Sequence, residues 1–448
     1  MSNTTCQSRH MQNDIPSYTA PVPDEISAVD LTVTGTLPAE LAGRYFRNGP
    51  NPRPGERAPH WFIGAGMLHG VRIADGRAEW YRNRWVRYAE HEGPANTSVL
   101  SHAGRLYALV ETQPPVEIDR ELATVGRCDF DGRLTTAMTA HPKTDPDTGE
   151  LFFFGYGARA PFLTYHRLSA DGKLVESREI EVPGPTMMHD FAMTRNHIVW
   201  LDLPVVFDLD LVGKTMPYRW SDAYGARIGV MPKAGGPVRW YDVEPCYVFH
   251  VGNASEDAEG RVVLDAVRYD RAAWMGTWTE IGGRAEESAR STSRLYRWTL
   301  DPAAGVREEQ LDDRRIEFPT LNDAFVGKNH RYLYAVSADT VVKYDGRGGA
   351  QTADSLGAGW HVGEAVFVAG RNGTAEDDGW LISIATHDRP ETPSRLLVHD
   401  ATDLAAGPVA TVHLPRRVPA GFHGAWIADG DDTMIGNTER TEILGEKR

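Results

Sequence analysis

The sequence predicts an all-β protein, and among all-β architectures it favours a β-propeller. Three observations support this: Asp-Gly turn signals recur along the chain, short β-branched or aromatic segments lie between them, and long helical patterns are scarce. Asp-Gly favours the tight type I′ turn that joins neighbouring antiparallel strands. Hairpins of this kind along most of a 448-residue chain, with no evident linker, favour blades repeated around one axis over stacked sandwiches.

The predicted elements follow this pattern from one end of the chain to the other. The turn signals are Asp75-Gly76, Asp131-Gly132, Asp171-Gly172, Asp345-Gly346 and Asp378-Gly379. The predicted strands include residues 105–110, 151–154, 261–265, 332–336 and 380–384. No repeated blade signature is visible, so the periodicity alone does not give the number of blades.

Composition narrows the class of protein. The chain is 41% hydrophobic and 24% charged, which is typical of a globular protein with a large core. The formal net charge is −15 with scattered Lys and Arg, so we expect no nucleic-acid partner. Cys6, Cys128 and Cys246 form neither a CxxC pair nor an even disulfide framework, which indicates a reducing compartment.

The chain is expected to form a single domain over residues 26–448, because no shift in composition marks a boundary inside residues 30–428. Residues 1–25 are polar and are predicted to form an N-terminal arm with disorder. The sequence shows neither an apolar leader nor the run of about 18 apolar residues that a spanning helix requires. We therefore expect a cytoplasmic protein.

Four of the sixteen histidines stand beside strand-like sequence or a turn breaker: His141, His189, His250 and His423. A lone histidine in a strand is usually an ordinary polar residue, so the case depends on the set. These four lie far apart in sequence and can meet only if different blades bring them to one axis. Neutral imidazoles suit iron, zinc, copper or nickel, and the pattern alone leaves the metal open.

Three glutamates follow or precede apolar strand-like segments: Glu111, Glu317 and Glu364. A metal-bound imidazole usually donates its second N–H to a carboxylate, which fixes its orientation. A carboxylate buried without a partner is costly, so such positions favour a bonded partner. From the pattern alone, solvent-facing strand ends explain the three glutamates equally well.

Ten short blocks occur along the chain in a fixed order. They are FRNGPNP at 46–52, NT at 96–97, ALVE at 108–111, AHPKTDPDTGE at 140–150, MHDF at 188–191, FH at 249–250 with Asn253, EFP at 317–319, GEAVFV at 363–368, EDDG at 376–379, and LPRRVP at 414–419 with FHG at 422–424. In this order the set resembles the carotenoid cleavage oxygenase family, and the resemblance runs from about Gly35 to about Trp426.

The resemblance implies a seven-bladed β-propeller with one iron(II) per chain on its axis and a cap of loops and short helices that forms a substrate tunnel. It implies that the four histidines named above hold the iron and that the three glutamates orient ligand histidines. It further implies that dioxygen is the co-substrate and that a C=C double bond of a carotenoid or apocarotenoid is cleaved to two carbonyl products.

The expected partner is therefore a lipophilic small molecule, with peripheral membrane contact at the tunnel mouth as in many relatives and without an obligate protein partner. We expect apolar loop segments to line the tunnel, and residues 160–163 and 203–209 are candidates.

The chain departs from the family pattern in an acidic segment and in the third histidine block, which reads His250-Val251 where a paired histidine is common and continues with Ser255-Glu256-Asp257 as its acidic stretch. Where the family commonly has Trp-Phe-Asp-Gly-Asp-Gly-Met, residues 61–67 read WFIGAGM. Three alternatives stay open. One is a dioxygenase that cleaves stilbenes or phenylpropenes, although Val110 stands where we associate a lysine with that branch. The second is a non-catalytic propeller that binds an apolar ligand. The third is a zinc hydrolase, which the missing HExxH motif disfavours.

Overall fold

The protein is described here from a computed structural model covering residues 17–56, 58–88, 91–281, 292–371 and 373–430. Within these ranges the chain is mostly strands, with one α-helix, Arg271–Ile281. Seven antiparallel sheets of four or more strands form the blades of a β-propeller, which confirms the predicted fold class. No helix in the described ranges is both long and apolar enough to span a membrane.

The first blade joins both ends of the described chain. Its strands, from the outer edge to the axis, are Ser27–Val29, Arg77–Trp85, Gly66–Ala74, Gly43–Pro50 and Gly424–Ala428. The C-terminal strand pairs antiparallel with Gly43–Pro50, so one blade contains strands from opposite ends of the sequence. This pairing closes the ring.

The second to fourth blades follow in chain order. The second contains Ser98–His102, Arg105–Leu109, Val116–Ile118 and Thr124–Arg127. The third contains Lys143–Thr144, Leu151–Tyr156, Leu163–Leu168 and Leu174–Glu179. The fourth contains Ala192–Met193, His197–Asp202, Arg227–Pro232 and Arg239–Asp242.

The last three blades complete the ring. The fifth contains Tyr247–Glu256, Val262–Tyr269, Arg294–Asp301 and Gly305–Gln310. The sixth contains Glu317–Thr320, Tyr332–Ser337, Thr340–Asp345 and Ala350–Thr352. The seventh contains Val33–Gly35, Pro408–His413, Arg395–Asp400 and Gly379–His387, and the last of these also pairs with Trp360–Val362 and Val366–Ala369.

Short elements connect the blades. Two small hairpins pair Val205–Phe207 with Tyr218–Trp220, and Arg87–Tyr88 with His91–Glu92. Four 3-10 segments span Ser17–Thr19, Leu209–Leu211, Asp323–Phe325 and Leu404–Ala406. The first of these precedes the buried Val22, so the described part of the predicted N-terminal arm packs against the blades. The division into an arm and one domain stays a prediction.

All five predicted strands are present, with ends shifted by a few residues; residues 380–384, for example, lie inside Gly379–His387. The turn at Asp75-Gly76 joins two strands of the first blade, and both residues have positive φ (49° and 69°). That is the type I′ geometry for which Asp-Gly is favoured. Asp378-Gly379 instead leads into a strand, because its aspartate caps the loop at Thr374 and Ala375.

Aromatic side chains fill the space between neighbouring blades. Phe154 of the third blade meets Trp200 of the fourth edge to face at 5.9 Å, and Phe191 stacks on Trp200 at 5.6 Å. Each such pair contributes about 0.5–1.5 kcal/mol beyond the burial of apolar area. Packing of this kind fixes how the blades, and the loops at their inner edges, are placed around the axis.

Candidate metal centre

The four predicted histidines lie at the inner edges of four blades. His250 is part of Tyr247–Glu256, while His141, His189 and His423 stand one to three residues before an inner-edge strand. The inner edges of all blades face the axis, so residues distant in sequence become neighbours there. The structure thus brings together all four predicted histidines.

The imidazole rings converge on one point. Nε2 of His189 lies 3.2 Å from Nε2 of His141 and 3.4 Å from Nε2 of His250. The ring of His423 completes the group, with its centroid 4.6 Å from that of His141 and 4.8 Å from that of His250. His141, His250 and His423 each have one ring nitrogen that lies within 4.8 Å of the corresponding nitrogens of the other two.

Glu317 lies directly behind His250. Its Oε2 is 2.5 Å from Nδ1 of His250 and accepts the backbone N–H of Phe318, while Oε1 accepts the hydroxyl of Tyr269 at 2.5 Å. Burial alone would lower the pKa of His250, but the Glu317 carboxylate outweighs burial and raises it. Burial likewise opposes ionisation of Glu317, yet His250 and the two donors hold its pKa below the ordinary value.

Phe318 reaches this arrangement in a backbone conformation that side chains rarely adopt. Its φ is +52°. The left-handed region costs a non-glycine residue on the order of 1 kcal/mol. It lets the N–H of Phe318 bond to Glu317 while the phenyl ring stacks on His250 at 5.1 Å and packs against His423 at 5.5 Å.

Glu364 supports His423 in the same way. Its Oε1 lies 3.0 Å from Nδ1 of His423, and its Oε2 accepts the backbone N–H of Gly424 at 2.8 Å. Burial opposes ionisation of Glu364, but His423 and the Gly424 N–H hold its pKa below the ordinary value. Burial lowers the pKa of His423 despite the carboxylate, so the imidazole stays neutral near pH 7.

The other two histidines differ in their support. Oε1 of Glu111 lies against Nδ1 of His189, and Oε2 of Glu111 accepts the hydroxyl of Tyr156. Among the described residues His141 forms no hydrogen bond or ion pair with a carboxylate, although an oxygen of Glu111 lies within 4.8 Å of one of its ring nitrogens. Burial, and then the neighbouring His423, His189 and His250, lower its pKa well below the ordinary value. His141 is therefore also a neutral imidazole.

This arrangement fits a metal ion. A carboxylate facing Nδ1 favours the tautomer with its proton on that nitrogen, so the Nε2 lone pair is free to point at the shared centre. Several lone pairs facing one another at little more than 3 Å repel unless a cation lies among them. Four imidazole nitrogen donors suit a first-row divalent metal ion.

An apolar cavity of about 570 Å³ opens onto this centre. His189, His250 and His423 form part of its wall. Aromatic rings supply much of the remainder, namely Trp61, Phe62, Tyr156, Phe249, Phe318 and Phe422. The expectation that residues 160–163 and 203–209 line it is wrong: Leu163, Leu203 and Val205 are buried in the core, and the hairpin that contains Val205 instead contributes Tyr218.

A second and more polar cavity of about 1370 Å³ reaches the same centre. His141, Glu364 and His423 line it, together with Lys143 and Asp323. Lys143 pairs at 2.8 Å with Asp190. His423 belongs to the walls of both cavities, so the two spaces meet at the candidate centre.

Three supporting residues were missed from the sequence. Tyr156 and Tyr269 bond to the glutamates from strands of the third and fifth blades. Asp190 bonds the backbone N–H of Val251 at 2.8 Å and so ties the His189 segment to the His250 strand. Asp190 directly follows His189 in the MHDF block, which was the one signal available; no local signal marks either tyrosine.

Comparison with known proteins decides the family. A family model described as retinal pigment epithelial membrane protein matches residues 19–428. The carotenoid cleavage oxygenase of Mycobacterium tuberculosis is 40% identical over 94% of this chain and 99% of its own length. The chain belongs to the carotenoid cleavage oxygenase family.

Solved structures of this family share its propeller. A cobalt-substituted apocarotenoid oxygenase of Synechocystis matches with a TM-score of 0.81 and 25% identity, over 92% of this chain and 98% of that one. The lignostilbene dioxygenase of Pseudomonas brassicacearum matches with a TM-score of 0.82 and 26% identity over the same shares. The first of these carries a metal ion, in keeping with the metal centre indicated here.

Proposed function

We propose that this protein is an iron(II)-dependent dioxygenase that cleaves a C=C double bond of a carotenoid or apocarotenoid with dioxygen, giving two carbonyl products. One observation carries the proposal: four imidazoles converge where an apolar cavity opens, three of them form part of its wall, and carboxylates hold three of the four from behind. Family membership supports the same reaction, because its members named above are oxygenases of carotenoids, apocarotenoids and stilbenes.

In this proposal His141, His189, His250 and His423 hold one iron(II) per chain. Bound there, iron(II) supplies the activation of dioxygen. The glutamates keep three imidazoles in one tautomer and one orientation, so the nitrogen donors need not rearrange when the metal binds. The chain therefore contributes a preformed set of four nitrogen donors.

The cavity positions the substrate relative to the metal centre. A polyene has many similar double bonds, so selectivity depends on holding one of them next to the centre. Phe62, Phe318 and Phe422 stand beside the histidines, with Phe62 and Phe422 meeting edge to face at 5.2 Å. Rings held in this way confine an extended chain and exclude water from the bond that reacts.

A stilbene or phenylpropene is the second candidate substrate, favoured by the likeness to the lignostilbene dioxygenase. Val110 lines the cavity next to Glu111 and offers no hydrogen bond to a phenol. This side chain supports the polyene assignment over the phenolic one. A purely binding role is the third candidate. A protein that only binds an apolar ligand does not need glutamates that orient three histidines toward one centre.

Three apolar side chains stand exposed on the segments that form part of the cavity wall. Leu209 and Val212 are 74% and 51% exposed between the strands of the small hairpin, and Met275 is 46% exposed on the α-helix. The hairpin and helix also supply Tyr218, Thr277 and Ile281 to the wall. We assign this patch to peripheral contact with a lipid surface, from which a lipophilic substrate enters.

The test loads the protein with iron(II) under nitrogen, adds apocarotenals, carotenoids or hydroxystilbenes, admits oxygen and identifies carbonyl products by mass. Polyene-derived aldehydes or ketones are expected. Cleavage of hydroxystilbenes alone would favour the phenolic candidate. Binding without turnover of any compound would leave the binding role in its place.

A further inference from the structure

One part of the apolar cavity has a wall unlike the rest. We call it the Arg47 wall, formed by Tyr18, Arg47, His361 and Thr386. Its members are neighbours: His361 pairs with Thr386 across two strands, and its ring lies 4.2 Å from that of Tyr18. Elsewhere the cavity is lined mostly by aromatic and aliphatic side chains, with Asn96, Thr112 and Arg315 among the polar ones.

Arg47 is the unusual residue in this wall. It is 2% exposed, and its Nε and Nη1 have no hydrogen-bond partner within the described residues. Burying a charged donor without partners is among the costlier arrangements in a protein. Burial lowers the pKa of Arg47, and the neighbouring Tyr45 hydroxyl, followed by Glu364, opposes this shift. Glu364 is already bonded to His423 and Gly424.

The backbone makes room for this guanidinium. A Cβ on Gly363 would lie 2.4 Å from Nη1 of Arg47, and a Cβ on Gly421 would lie 2.9 Å from Nε. The Arg47 guanidinium therefore lies against Gly363, which directly precedes Glu364, and against Gly421, which stands two residues before His423. Any larger side chain at either position would displace it. The chain thus keeps a place for a buried cation beside the substrate cavity.

The surrounding charge is positive. Burial, followed by Arg47, Arg416 and Arg417, lowers the pKa of His69 to about 3, which places three cations around one buried imidazole. Arg416 is paired with Asp24 at 2.6 Å, and Arg417 donates to backbone carbonyls of the N-terminal segment. Arg47 forms no ion pair within the described part of the chain, and it lines the cavity.

We propose that the Arg47 wall is a subsite for the oxygen-bearing end of the substrate, a carbonyl or carboxylate at the terminus of a linear polyene. Arg47 is the specificity-determining residue, because a guanidinium offers several N–H donors in one plane to such an oxygen. The inference rests on the proposed function. It adds that the substrate is a polyene with an oxygenated end. Because that end lies at the Arg47 wall, it also fixes the direction of the substrate in the cavity.

Anchoring has a consequence for the position of cleavage. If the oxygenated end is held at the Arg47 wall, the bond beside the metal centre lies a fixed number of carbons from that end. Apocarotenals of three chain lengths, given to the unmodified protein, are then cleaved at the same distance from the aldehyde. Cleavage at a constant distance from the opposite, hydrocarbon end would overturn the proposal.

Binding tests Arg47 without turnover. The probes are a fluorescent conjugated tetraenoic acid and the tetraene hydrocarbon of equal length, titrated under nitrogen into the iron-loaded protein. We expect the acid to bind about 10-fold more tightly, the size of one hydrogen bond to a charged group. In Arg47→Gln that preference falls to about one, whereas Arg105→Gln, at an exposed arginine, preserves it.

The outcomes separate the two proposals. Equal binding of acid and hydrocarbon by the unmodified protein overturns the Arg47 subsite and leaves the apolar cavity intact. Binding of neither probe counts against the proposed function itself. Should Arg47→Gln fail to fold, the chain-length series still decides the question, because it uses the unmodified protein.

Discussion

Oε2 of Glu317 lies 2.5 Å from Nδ1 of His250, although the two residues are 67 positions apart in sequence and belong to different blades. The same relation joins Glu364 to His423 across 59 positions. Glu317 belongs to the sixth blade and His250 to the fifth. Glu364 stands just before a strand of the seventh blade, and His423 stands just before a strand of the first, which is its neighbour in the closed ring. Both glutamates approach the imidazole from the Nδ1 side. Neighbouring blades thus orient one another's donors.

Glu317→Gln keeps the size of this side chain and removes its charge. The amide offers Nδ1 of His250 a weaker acceptor, so the ring is held less firmly. We expect metal affinity to fall by ~10–100-fold, the usual effect of changing such a partner, with the protein still folded. Metal titration under nitrogen measures it. Glu259→Gln, at an exposed glutamate, is the matched control. Equal affinities in both variants would contradict the support role.

His423→Ala removes one of the four nitrogen donors. The centroid of its ring lies 4.6 Å from that of His141 and 4.8 Å from that of His250. Removal of the ring therefore leaves three histidine donors and an open position at the centre. We expect the purified protein to retain almost no iron, as quantified by elemental analysis. His413→Ala changes an exposed histidine and is expected to retain it fully. Full iron content in His423→Ala would remove His423 from the ligand set.

Tyr269→Phe tests a contact that has no signal in the sequence. The change leaves Oε1 of Glu317 buried without its 2.5 Å donor. The lost bond to a charged group is worth about 1.5–3 kcal/mol, so we expect a lower melting temperature and about 10-fold weaker metal binding. Tyr296→Phe, which removes a bond to Gln310 on the surface, serves as the control. If only stability changes, Tyr269 has no part in orienting His250.

The sequence predicted those parts of the protein that depend on local patterns. The turn at Asp75-Gly76 and the strand at 151–154 are examples, because turn chemistry and side-chain alternation act over a few residues. The candidate histidines and glutamates were found through short blocks whose order resembles a family. The four histidines and Glu317 lie in or next to inner-edge strands, where the structure brings them together with Glu111 and Glu364.

Other features depend on contacts between distant segments, and the sequence alone did not reveal them. Tyr156 and Tyr269 sit in ordinary-looking strands, and only the ring of blades aims them at glutamates. The hairpin that lines the cavity does so through Tyr218, while Leu203 and Val205 of the apolar segment chosen from the sequence are buried in the core. Apolar character predicts burial, and burial in the core cannot be told from burial in a cavity wall by composition.

Stability at acid pH follows from three histidines outside the metal centre. Burial lowers the pKa of His166 and of His399 to about 4, and burial together with Arg47 lowers that of His69 to about 3. In the unfolded chain these groups have pKa values of about 6.5. Between about pH 6.5 and 4 the unfolded state therefore binds protons that the folded state does not, so the free energy of unfolding falls as the pH falls.

In the middle of this window, each such histidine lowers the free energy of unfolding by about 1.4 kcal/mol for every unit by which the pH falls. Urea unfolding at pH 7, 6 and 5 measures the slope. In His399→Gln one titrating group is gone, so we expect the free energy of unfolding to fall less steeply by about that amount. His413→Gln, at an exposed position, keeps the original slope. An unchanged slope in His399→Gln would mean that His399 is protonated to the same degree in both states, and it would contradict the prediction.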